Sequence, residues 1–232
     1  MAVAAAVAVA PGSHGLTAIR RNLVALATLF ALVLVACGGD EDTGWVIERF
    51  DVGVDVDTNG VMRVRETIQV DFRDLEKHGI FRDIPFAYYV DDDRARSTTV
   101  VPESVTDADG LEQPWIEDTV GAYHRLRIGS ASVTVSGRHT YVIDYRVLGA
   151  LNPFSDHGEL NWNVTGDQWP VPIESSTLQV HLPQGTSVSQ VACYEGPSGS
   201  SDPCGRADSD GNAATFSASR ELDAGEGWTA VL

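Results

Sequence analysis

Between Asp40 and Leu232 no stretch repeats its apolar residues with helical spacing over ten positions, which argues against a helical domain. Catalytic signatures are as scarce. There is no HExxH and no close pair among His78, His124, His139, His157 and His181, so zinc hydrolysis lacks its ligands. The absence of G-x-S-x-G, P-loop and G-x-G-x-x-G patterns removes the commonest motif-bearing hydrolases and nucleotide folds. No metal and no cofactor is therefore expected. Internal repeats and long linkers are also missing, and one domain is the economical organisation for 232 residues. Basic residues are few. After Cys37, 14 Lys and Arg face 33 Asp and Glu, a formal charge of −19 on that part of the chain. So acidic a surface repels phosphate backbones and anionic lipid headgroups, and no nucleic-acid partner is expected.

What is present begins with an address. Arg20 and Arg21 precede an apolar run of 15 residues from Asn22 to Ala36. As a helix it would reach roughly 22 Å, short of a bilayer core, and it fits a signal sequence better than a membrane span. The run ends in Leu34-Val35-Ala36-Cys37, and a small residue before a lone Cys at that point resembles the bacterial lipobox. The resemblance implies cleavage before Cys37 and lipidation of its thiol. The expected division is a signal peptide with lipobox over 1–37, a short linker over 38–44 and an extracytoplasmic domain over 45–232. The expected location is the outer side of the cell membrane, with the lipid anchor as the contact to the membrane.

Cysteine is scarce: three in all. Setting Cys37 aside leaves Cys193 and Cys204, at the two ends of a loop rich in Gly, Ser and Pro. Two thiols in an oxidising compartment normally pair, so a disulfide is expected. It would stabilise by roughly 2–3 kcal/mol for so short a loop.

The chain after the linker alternates. Phe50, Val52, Val54 and Val56 share one face and Asp51, Asp55 and Asp57 the other. After Thr58-Asn59-Gly60 the alternation resumes through Met62, Val64, Ile68, Val70 and Phe72. Two such runs joined across Asn-Gly predict a β-hairpin. Further strands are expected at Ala122–Ile128, Ser132–Val135, Thr140–Val147, Glu159–Val164, Ser176–Leu182, Val188–Tyr194, Thr215–Ser219 and Gly227–Leu232. The expected fold is all-β, an antiparallel β-sandwich.

Two features of the hairpin matter. Asp55-Val56-Asp57-Thr58-Asn59-Gly60 followed by Glu66 satisfies a calcium-loop pattern, but that loop needs flanking helices and these flanks alternate as strands. Glu66 also falls on the apolar face, between Val64 and Ile68, where an unpaired carboxylate is costly. Arg82 follows in a Gly- and Pro-bounded segment, and a buried Glu66–Arg82 ion pair is expected.

A strand of the form V-x-E-x-I-x-V-x-F is followed by His78-Gly79-Ile80-Phe81-Arg82-Asp83-Ile84-Pro85. Then come Tyr141-Val142-Ile143-Asp144-Tyr145, Glu159 to Gly166 with Trp169 to Ile173, and the Cys pair. In this order they resemble the extracytoplasmic domain of the bacterial predicted membrane proteins called domain of unknown function 2207, from about Trp45 to the C-terminus. The resemblance implies an outer β domain whose molecular function is not established. Members usually carry transmembrane helices after it. Either acylation replaces those helices here, or the chain is a truncated product whose last strand is incomplete. Two functions are expected to compete. One is a binding or structural module of the envelope, with a glycan or protein partner, for which Trp162, Trp169 and Tyr88-Tyr89 offer aromatic surfaces or core packing. The other is an envelope glycan hydrolase using a carboxylate pair such as Glu159 with Asp167.

Overall fold

The computed structural model describes residues 43–91 and 94–232. Cys37, and with it the signal and lipidation assignment, lies outside them. Among the described residues seventeen strands follow one another: β1 (Val46–Val56), β2 (Met62–Asp71), β3 (Ile80–Pro85), β4 (Ala87–Asp91), β5 (Arg94–Ser97), β6 (Thr99–Thr106), β7 (Trp115–Val120), β8 (Tyr123–Ile128) and β9 (Arg138–Leu148). Then come β10 (Leu151–Pro153), β11 (Gly158–Asn163), β12 (Ser176–His181), β13 (Ala192–Gly196), β14 (Asp202–Pro203), β15 (Arg206–Asp210), β16 (Ala213–Ser217) and β17 (Gly227–Val231). No helix occurs among the described residues, and the fold is all-β.

One layer is a seven-stranded sheet in the order β15-β16-β12-β1-β2-β9-β6. The period-two pattern decides its faces. Val52, Val54, Val64, Ile68, Ile143, Tyr145, Leu178 and Phe216 are buried on one side, while Arg63, Arg65 and Asp55 on the other meet solvent. The second layer is made of a five-stranded sheet, β10-β11-β17-β13-β14, and a three-stranded sheet, β3-β8-β7. Contacts cross between the layers: the Trp228 indole N–H donates to Ser176 Oγ at 3.0 Å, and the Phe50 and Trp169 rings meet edge-on at 6.0 Å. Trp162 and Trp169 are both nearly buried, so they belong to the core rather than to an exposed stacking surface.

The expected hairpin is β1–β2, with Val56 opposite Met62. Its loop is closed by Asp57 Oδ1, which accepts the N–H groups of Asn59 at 2.8 Å and Val61 at 3.1 Å, and Gly60 takes φ +76°. The antiparallel architecture has one local exception, and one expected strand needs correction. The sheet is not wholly antiparallel, because β1 and β12 pair in parallel, from Phe50 opposite Ser176 to Asp55 opposite His181. β12 enters this sheet from β11 in the other layer, so a crossover and not a hairpin sets its direction. Ser132–Val135 forms no strand and contributes only the isolated bridge of Val135 to Lys77.

Candidate functional site

Arg82 and Glu66 are both wholly buried, and the structure brings them together. Arg82 Nε donates to Glu66 Oε2 and Nη2 to Oε1, each at 2.7 Å. The other donors reach backbone carbonyls: Nη1 meets Asp83 O and Thr165 O at 2.8 Å, and Nη2 meets Val164 O at 3.3 Å. Every face of the guanidinium fork is used. Tyr145 donates its phenol to Glu66 Oε1 at 2.7 Å, and the Phe50 ring lies under the guanidinium at 5.2 Å. Burial alone would lower the Arg82 pKa. The Glu66 charge and hydrogen bonds outweigh it, and the group is held above the ordinary arginine value. The next carboxylate, Asp83, turns the opposite way along β3 and takes Arg125 through two bonds of 2.7 Å.

The cluster therefore collects residues from four separate segments of the chain: Glu66, Arg82, Tyr145 and the Val164–Thr165 backbone. Gly166 belongs with them. It has φ +77°, and a Cβ there would lie 2.9 Å from Arg82 Nη1. The calcium pattern is dismantled in the same place, since its twelfth position, Glu66, is committed to Arg82 in the core.

Gripped by Arg82, the chain from Asn163 to Asp167 is fixed. Asn163 Oδ1 accepts the Gly166 N–H at 2.9 Å, and the Trp169 indole donates to Thr165 O at 2.8 Å. Asp167 accepts the Tyr123 phenol at 3.1 Å and Gln168 Nε2 at 2.9 Å. Burial, followed by the Asp167 charge, raises the Tyr123 pKa. This segment is one wall of a cleft of about 540 Å³.

The facing wall is the loop from Gly196 to Ser200. Cys193 and Cys204 are joined by a disulfide at its base, with their Cα atoms 5.4 Å apart. Ser200 Oγ donates to Glu195 O at 2.7 Å and accepts the Asp202 N–H at 3.1 Å. The Glu195 carboxylate is buried and takes the N–H of Ser219 at 2.8 Å and its hydroxyl as well.

Between the walls, strand register lines up Asn163, Thr229 and Tyr194 across β11, β17 and β13. An amide, a hydroxyl and a phenol thus stand in one row, with Tyr194 42% exposed. Asn161 lies two positions along β11 and also lines the cleft. Trp162 is a further lining residue, and its buried indole N–H has no hydrogen-bond partner among the described residues. The site is polar and mostly uncharged, furnished to exchange hydrogen bonds with hydroxyl or amide groups and to stack on one ring. The carboxylate pair expected from the sequence is not assembled here. Asp167 lines the cleft, whereas Glu159 is outside its lining and takes Asn152 Nδ2 at 3.3 Å. Tyr194 and Thr229 escaped the sequence reading because their alignment depends on strands far apart in the chain. The expected strands at Val188–Tyr194 and Gly227–Leu232 were the local signals.

A family model described as the N-terminal domain of predicted membrane proteins, domain of unknown function 2207, matches residues 46–232. The uncharacterized protein YciQ of Escherichia coli (strain K12) is 31% identical over 176 residues, covering 71% of this chain and 27% of its own length. The chain thus spans about a quarter of that relative. Among solved structures, native leukotriene A4 hydrolase from Saccharomyces cerevisiae aligns with a TM-score of 0.49 at 13% identity, over 81% of this chain and 29% of that one. An M1 zinc metallopeptidase from Deinococcus radiodurans aligns at 0.46 and 10%, over 81% and 42%. Likenesses this distant transfer no chemistry.

Proposed function

The chain belongs to the domain of unknown function 2207 family of predicted membrane proteins, and from that premise we propose that it is an envelope binding module. The domain is held at the outer side of the membrane by a lipid on Cys37. It works without catalysis and takes a hydroxyl-rich, uncharged segment of an envelope glycan in the cleft. The observation that carries this reading is the row Asn163–Thr229–Tyr194 between two pinned walls. Amide and hydroxyl groups match sugar hydroxyls in both donor and acceptor roles, and a half-exposed phenol offers a face for a pyranose ring. Pinning both walls lowers the ordering cost of binding.

The test is calorimetric titration of the full chain with soluble oligosaccharide fragments of envelope glycan, alongside an assay for new reducing ends. Saturable binding weakened about tenfold by Tyr194→Ala, with the fragments left intact, is the expected result. Cleavage of the fragments would replace this reading by the hydrolase. Equal affinity for the protein and for Tyr194→Ala would remove the cleft from consideration.

A further inference from the structure

Nine large apolar side chains are exposed among the described residues, and three of them gather at one end of the three-stranded sheet. Register sets Phe81, Arg127 and Ile116 side by side across β3, β8 and β7. Phe81 is 50% exposed and Ile116 51%. Val133, 56% exposed, is tied to the same corner through His78, whose Nδ1 meets Val133 O at 3.0 Å and Ser130 O at 3.1 Å. Apolar groups held out to solvent in this way, rather than singly, mark a contact surface.

A notch of about 330 Å³ opens beside them, lined by Lys77, Gly79, Phe81, Arg127, Gly129 and Ala131 among others. Gly79 and Gly129 pass so close that a Cβ on either would stand 1.9 Å from a carbonyl oxygen of the other strand, and both have positive φ. The charge at the notch is the reverse of the molecule's. The chain carries −17 overall, yet the lining includes two cations and no carboxylate. One is the chain's single lysine. The other, Arg127, is exposed, and its side chain makes no ion pair or hydrogen bond among the described residues.

We propose that this notch seats the anionic headgroup of a membrane phospholipid, with Phe81, Ile116 and Val133 entering the interfacial layer around it. The cations supply attraction to negative headgroups, and the aromatic and aliphatic rim supplies the apolar contact that a free anion would not use. The acidic remainder of the domain is repelled by the same surface, which favours approach by this corner, and the domain is oriented as well as tethered. Membership of a family of membrane proteins places such a surface within reach.

Hydrogen exchange of the full chain in lipid nanodiscs tests the proposal, comparing phosphatidylcholine alone with phosphatidylcholine containing phosphatidylglycerol. Exchange across residues 77–81 and 127–133 is expected to slow by about tenfold in the anionic discs alone. Arg127→Glu and, independently, Phe81→Ser should each abolish the slowing. Both side chains are exposed, so neither change is expected to lower the melting temperature appreciably. Equal exchange in the two discs, or slowing that survives both variants, would overturn the assignment. Protection that appears with an acidic amphipathic peptide and with neither disc would transfer the surface to a protein partner.

Discussion

Gly166 has a backbone conformation that favours glycine, and a methyl group there would press on the Arg82 guanidinium. Burial governs two tyrosines on the inner face of β9. Burial pushes the Tyr141 phenol up to about 12. Tyr145, buried and donating to Glu66, is raised as well. In the unfolded chain a phenol ionises near pH 10. The folded protein therefore retains protons that the unfolded chain has released, and stability must fall as pH rises through this interval. The contribution of Tyr141 is complete below about pH 10 and is lost as the pH approaches about 12, at roughly 1.4 kcal/mol for each pH unit. Thermal melts between pH 8 and 12 should show that decline, and Tyr141→Phe should make it shallower. An identical slope in the variant would place the phenol in water.

At the scale of elements, the β1–β2 hairpin was legible because its signals are local: alternation and an Asn-Gly turn within one stretch of chain. The pairing of Glu66 with Arg82 was legible for a related reason, since a carboxylate on an apolar strand face demands a nearby cation. What sequence could not supply was register between distant strands. The row Asn163–Thr229–Tyr194 needs β17 to sit between β11 and β13, and β12 joins β1 in parallel after crossing layers. Ser132–Val135 alternates like a strand, yet only Val135 pairs, while His78 holds the carbonyls of Ser130 and Val133. The disulfide belongs to this scale too. It ties β13 to the residue following β14 and closes the loop that walls the cleft. Cys193→Ser with Cys204→Ser should cost roughly 2–3 kcal/mol in denaturant unfolding. Oligosaccharide affinity should fall with it as the Gly196–Ser200 wall loosens. A loss below about 0.5 kcal/mol with unchanged affinity would show that the loop is held by its hydrogen bonds alone.

For the whole molecule, the Glu66–Arg82 pair joins its two layers. Glu66 lies in the seven-stranded sheet, Arg82 in the three-stranded sheet, and the carbonyls of Val164 and Thr165 follow the last residue of β11 in the five-stranded sheet. One guanidinium thus fastens three sheets and fixes a wall of the cleft, which is why its partners come from separate segments of the sequence. A buried pair of this kind stabilises little over a well-packed apolar replacement, but leaving one charge unpaired is costly. The central claim is that these residues form one interlayer lock. The most direct measurement is a double-mutant cycle by denaturant unfolding on the protein, Glu66→Gln, Arg82→Met and the double variant. Each single change should cost about 3–5 kcal/mol and the double variant clearly less than their sum, a coupling of about 2 kcal/mol or more. Two losses below about 1 kcal/mol that simply add would contradict the lock.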